Sequence, residues 1–473
     1  MTHMTLKAIS VGAASLVLAG CWGGVGPDYV APASKAPEAF LASSDRNSNR
    51  FDPPPSEWWK ALKDPQLNGL VERARQANND IAAARANLTA SRAAARAATG
   101  AFFPSVNAAG SAQRTKPSGA AQGLPEQPAV DLYDAGFDAS WELDLFGGIN
   151  RSTQAARADA QAAEARLQDV LVSVTADTVR AYIDLRGVEL RLDVAQRNAE
   201  NQQRTYDLTV DLSNGGRGSE LDVARAQSQL ETTRAAIAAL EAGVTTARFR
   251  LAVLVGEVPQ TFTLTEEAEA VLPVTPEVIS IGEPADLLRR RPDVRQAERA
   301  LEAATARIGV ATAELFPRLS LTGAVGLSAL SFDNLSEQAA FQYSVGPSLV
   351  WNLFAGGASR ARIAQADALA QAQLARYDNT VLLALEDAEA SLTRFAREKV
   401  RLGHLSAAAL ASARAADFAD QRYRGGVDNF LNVLDAQRSL LAAEDSLVQS
   451  QVAVATQFIA VHKALGTGWQ PVE

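Results

Sequence analysis

The chain has 473 residues, a formal charge of −9, 47% apolar content and only 6% aromatics. Acidic and basic residues interleave without a basic stripe, which argues against a nucleic-acid partner. One cysteine excludes an internal disulfide, and His3, His404 and His462 are too scattered to suggest a metal, a cofactor or a histidine-based catalytic site.

In chain order, Lys7 precedes an apolar run over 8–18 that ends in Leu18-Ala19-Gly20-Cys21. The run is too short to cross a bilayer as a helix and has the layout of a secretory signal. Its ending resembles the lipobox of bacterial lipoproteins, which implies removal of residues 1–20 and acylation of Cys21. Trp22 stands where lipoproteins kept in the inner membrane carry Asp, so the resemblance points to the outer membrane. Residues 21–60, rich in Pro, Ser and Asn, read as an extended tether behind the lipidated cysteine.

The rest is written twice. Asn79-Asp80-Ile81 recurs as Pro292-Asp293-Val294, and Phe103-Pro104 as Phe316-Pro317. Leu145-Phe146 before Gly147-Gly148 recurs as Leu353-Phe354 before Gly356-Gly357, and Gly215-Gly216 as Gly425-Gly426. Anchors in one order at nearly constant offset mean an internal duplication. Residues 61–255 form the first repeat and 285–466 the second. A proline-punctuated segment over 256–284 separates them, and 467–473 remain as a C-terminal tail.

Within each repeat the texture changes. Residues 64–100 and 285–314 have helix-forming composition, after which Pro104 and Pro317 end the helix. The period then becomes two. Tyr133, Phe137, Trp141 and Leu143 alternate with Asp134, Asp138 and Glu142, and Phe341, Tyr343, Val345 and Leu349 alternate with Gln342, Ser344 and Ser348. One β-hairpin per repeat follows, over 102–146 and 316–354. Strands of this length suit a bilayer crossing, which takes about 9–11 tilted residues. Phe102, Phe103, Trp141, Phe146, Phe316, Trp351 and Phe354 collect at one end of the strands, as an aromatic girdle at a membrane interface would. Four strands cannot close a barrel, and open edges are not viable in lipid, so several chains must close it together. Three would supply twelve strands.

Residues 150–213 and 358–424 read as helices of about 95–100 Å each. Their small and apolar residues occupy more than one face, and a strict seven-residue apolar seam does not hold, so each helix needs neighbours on both sides. Two shorter helices return after the paired glycines.

The lipobox, Gly26-Pro27-Asp28-Tyr29, Trp58-Trp59, Leu287-Leu288-Arg289-Arg290-Arg291-Pro292-Asp293-Val294 and Val433-Leu434-Asp435-Ala436-Gln437-Arg438 together resemble the TolC family, in its NodT/OprM-like lipoprotein branch. The resemblance implies a mixed α and β membrane protein. It implies a homotrimer whose twelve-stranded outer-membrane barrel, four strands per protomer, is continuous with a long periplasmic α-helical barrel. It also implies a passive exit duct for drugs or other small toxic compounds, served by a periplasmic adaptor and an inner-membrane RND-type transporter. A duct of a type I protein secretion system and a non-conducting structural lipoprotein are the alternatives. No clustered nucleophile and base suggests an enzyme.

The repeated segment carries the candidate gate. Residues 219–230 and 429–440 match at Leu221/Leu431, Val223/Val433 and Ala226/Ala436, but Arg225 stands opposite Asp435. Leu431, Asp435 and Arg438 fall on one helical face, and in the family the matching positions line the constriction at the periplasmic end. Asn432 replaces a second acidic residue of some relatives. Asp222 and Arg225 are a candidate pairing set across quasi-equivalent hairpins. Asp134, Asp138, Glu142 and Asp144 are expected to make the lumen acidic near the strands.

Overall fold

A computed structural model describes residues 24–33, 36–41, 48–49, 52–123, 125–264 and 271–469. The signal peptide, Cys21 and residues 470–473 lie outside the described residues. After a two-residue strand β1 (Ser48–Asn49) and a 3-10 turn over Trp58–Leu62 come α1 (Pro65–Ala77), α2 (Asn79–Gly100), β2 (Ser105–Thr115), the short α3 (Gly119–Gln122) and β3 (Val130–Leu143). The long α4 (Gly148–Asn214) and its returning partner α5 (Glu220–Leu254) complete the first repeat. The second runs through β4 (Ile279–Ser280), α6 (Pro284–Arg290), α7 (Pro292–Ala313), β5 (Arg318–Ala329), β6 (Phe341–Val350), α8 (Ala358–Arg424) and α9 (Phe430–Ala464). The duplication is preserved in element lengths: α4 and α8 have 67 residues each, and α5 and α9 have 35 each.

Two expected helices are each broken in two. Asn78 is extended (φ −65°, ψ 131°), and its side-chain oxygen accepts from the Asp80 and Ile81 N–H groups at 2.9 and 3.3 Å. It thus ends α1 and caps α2, while its amide donates to the Leu254 carbonyl at 2.9 Å. In the second repeat Arg291 is extended (φ −63°, ψ 122°) because the ring of Pro292 disfavours helical backbone before it. The pairing of β1 with β4, parallel and two residues long, was not readable from the sequence.

Two compact units share the chain. The first comprises the described part of Met1–Pro32 with Leu88–Ala163 and Ala297–Tyr377. It holds an antiparallel four-stranded sheet of order β2-β3-β5-β6. Register sorts its faces cleanly. Ala108, Phe137, Val325 and Tyr343 stand in one row across the sheet, and Val106, Ala139, Gly323 and Val345 in the next. The opposite face carries Asn107, Asp138, Ala324 and Ser344 in one row and Ser111, Asp134 and Ser328 in another. The apolar face is exposed, with Phe137 at 59% and Val345 at 73%. Strands β2 and β6 are edges of this sheet, each with one side of its ladder unpaired in the single chain. The repeats meet where Gly136 faces Gly326, and a Cβ on Gly136 would lie 2.6 Å from the Val325 carbonyl oxygen.

The same unit explains the Gly-Pro-Asp-Tyr motif. Arg151 of α4, almost fully buried, donates to the carbonyls of Gly24, Val25 and Gly26 at 3.1–3.3 Å and to the Asp28 carboxylate at 2.7 Å. Gly26 (φ +87°) lies against Gly309 of α7 so closely that a Cβ would sit 2.5 Å from its Cα. Only glycine suits that backbone and that space.

The second unit comprises the described residues of Ala33–Asn87, with Glu164–Gln296 and the described residues of Asp378–Glu473. Its core holds Trp58 stacked on His462 at 5.0 Å and 4°, with Phe458 edge-on to both. Burial pushes the His462 imidazole down to about 3, so it is neutral. Arg291 pins the end of α9, donating to the Ala464 carbonyl at 2.9 Å while pairing with Asp293 at 2.6 Å.

Candidate gate site

The candidate gate lies in the second unit, where the long helices reverse. Both turns are Schellman motifs. Arg217 N–H donates to the Leu212 carbonyl at 2.8 Å and Gly216 N–H to Ser213 at 3.0 Å, and Val427 donates to Arg422 and Gly426 to Tyr423, both at 2.9 Å. Gly216 and Gly426 occupy the left-handed region (φ +72° and +70°), which explains the second glycine of each pair. The returning helices then start on side-chain caps, Ser219 accepting from Leu221 N–H at 3.1 Å and Asn429 from Asn432 N–H at 3.2 Å.

Beyond the second turn, α9 divides its residues sharply. Phe430, Val433 and Leu434 join Ala226 of α5 in a buried cluster flanked by Tyr206, Ala419 and Tyr423. Leu431 and Asp435 stand exposed on successive turns of the other side. The predicted trio separates in its bonding. Arg438 reaches back to α5, where its Nε donates to the Gln229 side-chain oxygen at 2.6 Å. Asn432 turns to the tip and donates to Asp428 at 2.5 Å. Asp222 and Arg225 form an i,i+3 pair at 3.5 Å.

The sequence reading missed three participants. Asp428 gathers the second tip, accepting from Asn429 N–H at 2.9 Å and from Arg422 at 3.2 Å. These bonds, the backbone one first, hold its carboxyl below the usual range. Arg422 and Gln229 complete the set. An Asp immediately before a capping Asn was the available signal for Asp428; nothing local marks Gln229.

The remaining candidates lie in the first unit. Trp141 donates its indole N–H to the Phe102 carbonyl at 2.9 Å, and Trp351 repeats the bond to Leu315 at 3.0 Å. Phe146 stacks on Phe316 at 4.7 Å, while Phe103 and Phe354 project outward. Asp134 and Asp138 lie on the polar face, accepting from Ser111 at 3.3 Å and Asn107 at 3.0 Å. Asp144 corrects an expectation. It is not a free lumen carboxylate but caps α4, accepting from the Ile149 and Asn150 N–H groups at 3.1 and 2.8 Å.

The model of the outer membrane efflux protein family matches this chain twice, over residues 70–257 and 284–467. The chain belongs to the outer membrane efflux protein family. The two matches are the two halves of the duplication. Nodulation protein T of Rhizobium leguminosarum bv. trifolii is 30% identical, with 97% of each chain covered. The pyoverdine export outer membrane protein OpmQ of Pseudomonas aeruginosa is 30% identical over 99% of this chain and 98% of its own. Among solved structures, the outer-membrane channel OprN is 42% identical with a TM-score of 0.89, covering 94% of this chain and all of that one. This efflux protein is therefore an outer-membrane channel of the TolC-like type that extends into the periplasm. It is a homotrimer in which each chain contributes four strands to the barrel. It serves as the exit duct of a tripartite system with a periplasmic adaptor and an inner-membrane RND pump.

Proposed function

We propose that α9 just beyond Gly425-Gly426 is the gate of this duct, with Leu431 and Asp435 as its constricting side chains. One observation carries the reading: these two residues are exposed on successive turns directly behind a fixed turn, while Val433 and Leu434 face inward and are buried. Three protomers would bring three copies of Asp435 around one axis. Their negative charges concentrate at a narrow mouth, and such a ring attracts cations. Arg225, which pairs with Asp222 in the single chain, would meet Asp435 of an adjacent hairpin in the shut state. Arg438, Asn432 and Asp428 hold the backbone that presents the gate.

The cargo would be small toxic compounds delivered by the pump, passing along the polar face of the strands past Asp134, Asp138 and Glu142. The apolar face would meet lipid, with Trp141, Trp351 and the neighbouring phenylalanines at the interface. Acylation of Cys21 would add a lipid anchor. Asp435→Ser combined with Arg225→Ser should raise single-channel conductance in planar bilayers. Conductance equal to that of the unaltered trimer would remove the gate from these residues.

A further inference from the structure

Away from the gate and the sheet, the second unit holds a group of charges that neither of them uses. A cavity of about 280 Å³ lies where α4, the start of α7, α8 and the end of α9 converge. Val172, Ser391 and Ala464, all buried, line it. Charges of both signs face it as well: Asp169, Asp293 and Asp387 against Arg291, Arg394 and Lys463.

The signs are sorted along the cavity. Asp387, Ser391 and Arg394 stand i, i+4 and i+7 on one face of α8, so about 10 Å of helix axis separates the acidic residue from the basic one. At the Asp387 end Arg291 is 8% exposed and fully engaged. It donates to both oxygens of Asp293, to Asp387 at 3.4 Å, and to the Ala384 and Ala464 carbonyls. Burial, and then the neighbouring Asp293, push the Asp169 carboxyl above the usual range. Carboxylates crowded in this way favour an added cation.

Bonding capacity is left over at both ends. Asp169 accepts from Arg166 at 2.8 Å and Asp387 from Arg291, each through one oxygen, and the other oxygen of each has no partner among the described residues. Arg394 is exposed and makes no ion pair or side-chain hydrogen bond among the described residues. Lys463 reaches one carboxylate among them, Asp177, at 3.8 Å. Asp387 and Arg394 do not pair with each other, and the cavity is the space between them.

We propose that this cavity binds a short zwitterionic peptide, with its ammonium at Asp169 and Asp387 and its carboxylate at Arg394 and Lys463. A few convergent polar groups around a concave, partly apolar lining are the usual form of a small-ligand site. The ammonium and carboxylate of a single amino acid are only roughly 3 Å apart, and each further residue adds up to about 3.6 Å. Two or three residues therefore span the gap once the protein side chains have reached inwards. Small side chains suit the lining of Val172 and Ala464. Charge-assisted hydrogen bonds are about twice as strong as neutral ones, so both free ends of the peptide matter.

The probe is trialanine, titrated calorimetrically into the full-length reconstituted trimer at neutral pH. Saturable binding is expected, about tenfold weaker in Arg394→Gln and in Asp387→Asn, and lost when the peptide is acetylated and amidated at its ends. Absence of saturable binding to intact trimers, or equal binding of the blocked peptide, overturns the proposal. Unchanged affinity in both variants also overturns it, because the peptide would then sit elsewhere. Binding that appears only when the chain is ended at Trp469 assigns the cavity to residues 470–473 and overturns it too. Should Asp387→Asn fail to assemble on losing its contact with Arg291, Arg394→Gln decides alone, since it breaks no bond of the fold.

Discussion

Replacing Arg438 by alanine removes a charged donor from the Gln229 oxygen, 2.6 Å away, and strands an amide on a side chain that is only 8% exposed. Stripping a buried polar group of its partner costs about 1–3 kcal/mol. Arg438 itself lies at an exposed flank of α9, where water restores part of the loss, so about 1–1.5 kcal/mol is the working figure. If the bond forms only in the shut arrangement, that energy raises the open population about tenfold in each protomer. The assay is thiol labelling of Leu431→Cys in full-length trimers, where Cys21 is the only other cysteine. A bulky maleimide should react about tenfold faster with Leu431→Cys when Arg438→Ala is added. An equal rate in intact trimers would show that the Arg438–Gln229 bond is indifferent to the gate.

Two further perturbations address other levels. Phe137→Lys puts a charge on the apolar face of the sheet, which costs about 2–4 kcal/mol near the bilayer midplane. It should sharply reduce assembled trimer in the membrane, while Asp138→Lys, one residue on and on the polar face, should assemble normally by heat-modifiability on gels. His462 is buried and neutral, with its pKa pushed from the ordinary 6.5 down to about 3. Between those values the unfolded chain binds a proton that the folded chain does not. Stability should therefore fall as pH drops below about 6.5, by up to about 1.4 kcal/mol per pH unit. His462→Phe should flatten that slope in thermal melts across pH 4–6.5, and a slope equal to that of the parent would contradict the assignment.

Much of the architecture was legible because the repeat and the strand period are written in side-chain identity. The alternation around Phe137 and Tyr343 fixed which face each residue takes, and register then placed those residues in common rows. The constant offset of Gly215-Gly216 and Gly425-Gly426 located both reversals, since a Schellman turn needs glycine in the left-handed region. What escaped were effects that depend on a distant partner. The union of β3 with β5 joins segments nearly two hundred residues apart, and no local pattern encodes it. Asn78 and Asp144 read as ordinary polar residues until the N–H groups they cap are known. The apolar seven-residue template failed on α4 for a definite reason. Near the tip its buried positions obey the spacing but carry Asn198, Gln202, Thr205 and Thr209, which a hydrophobic template counts as surface. The candidate gate was found by motif, whereas its support at Gln229 and Asp428 comes from packing and turn geometry.

In the proposed duct, the polar faces of sheets from three chains enclose a water-filled, acidic passage. The most direct test is the reversal potential of purified trimers in a planar bilayer under a salt gradient. A conducting pore is expected, with a potential displaced towards the cation equilibrium value and a smaller displacement with Asp138→Asn. A pore with anion preference, or trimers that insert without conducting, would contradict it.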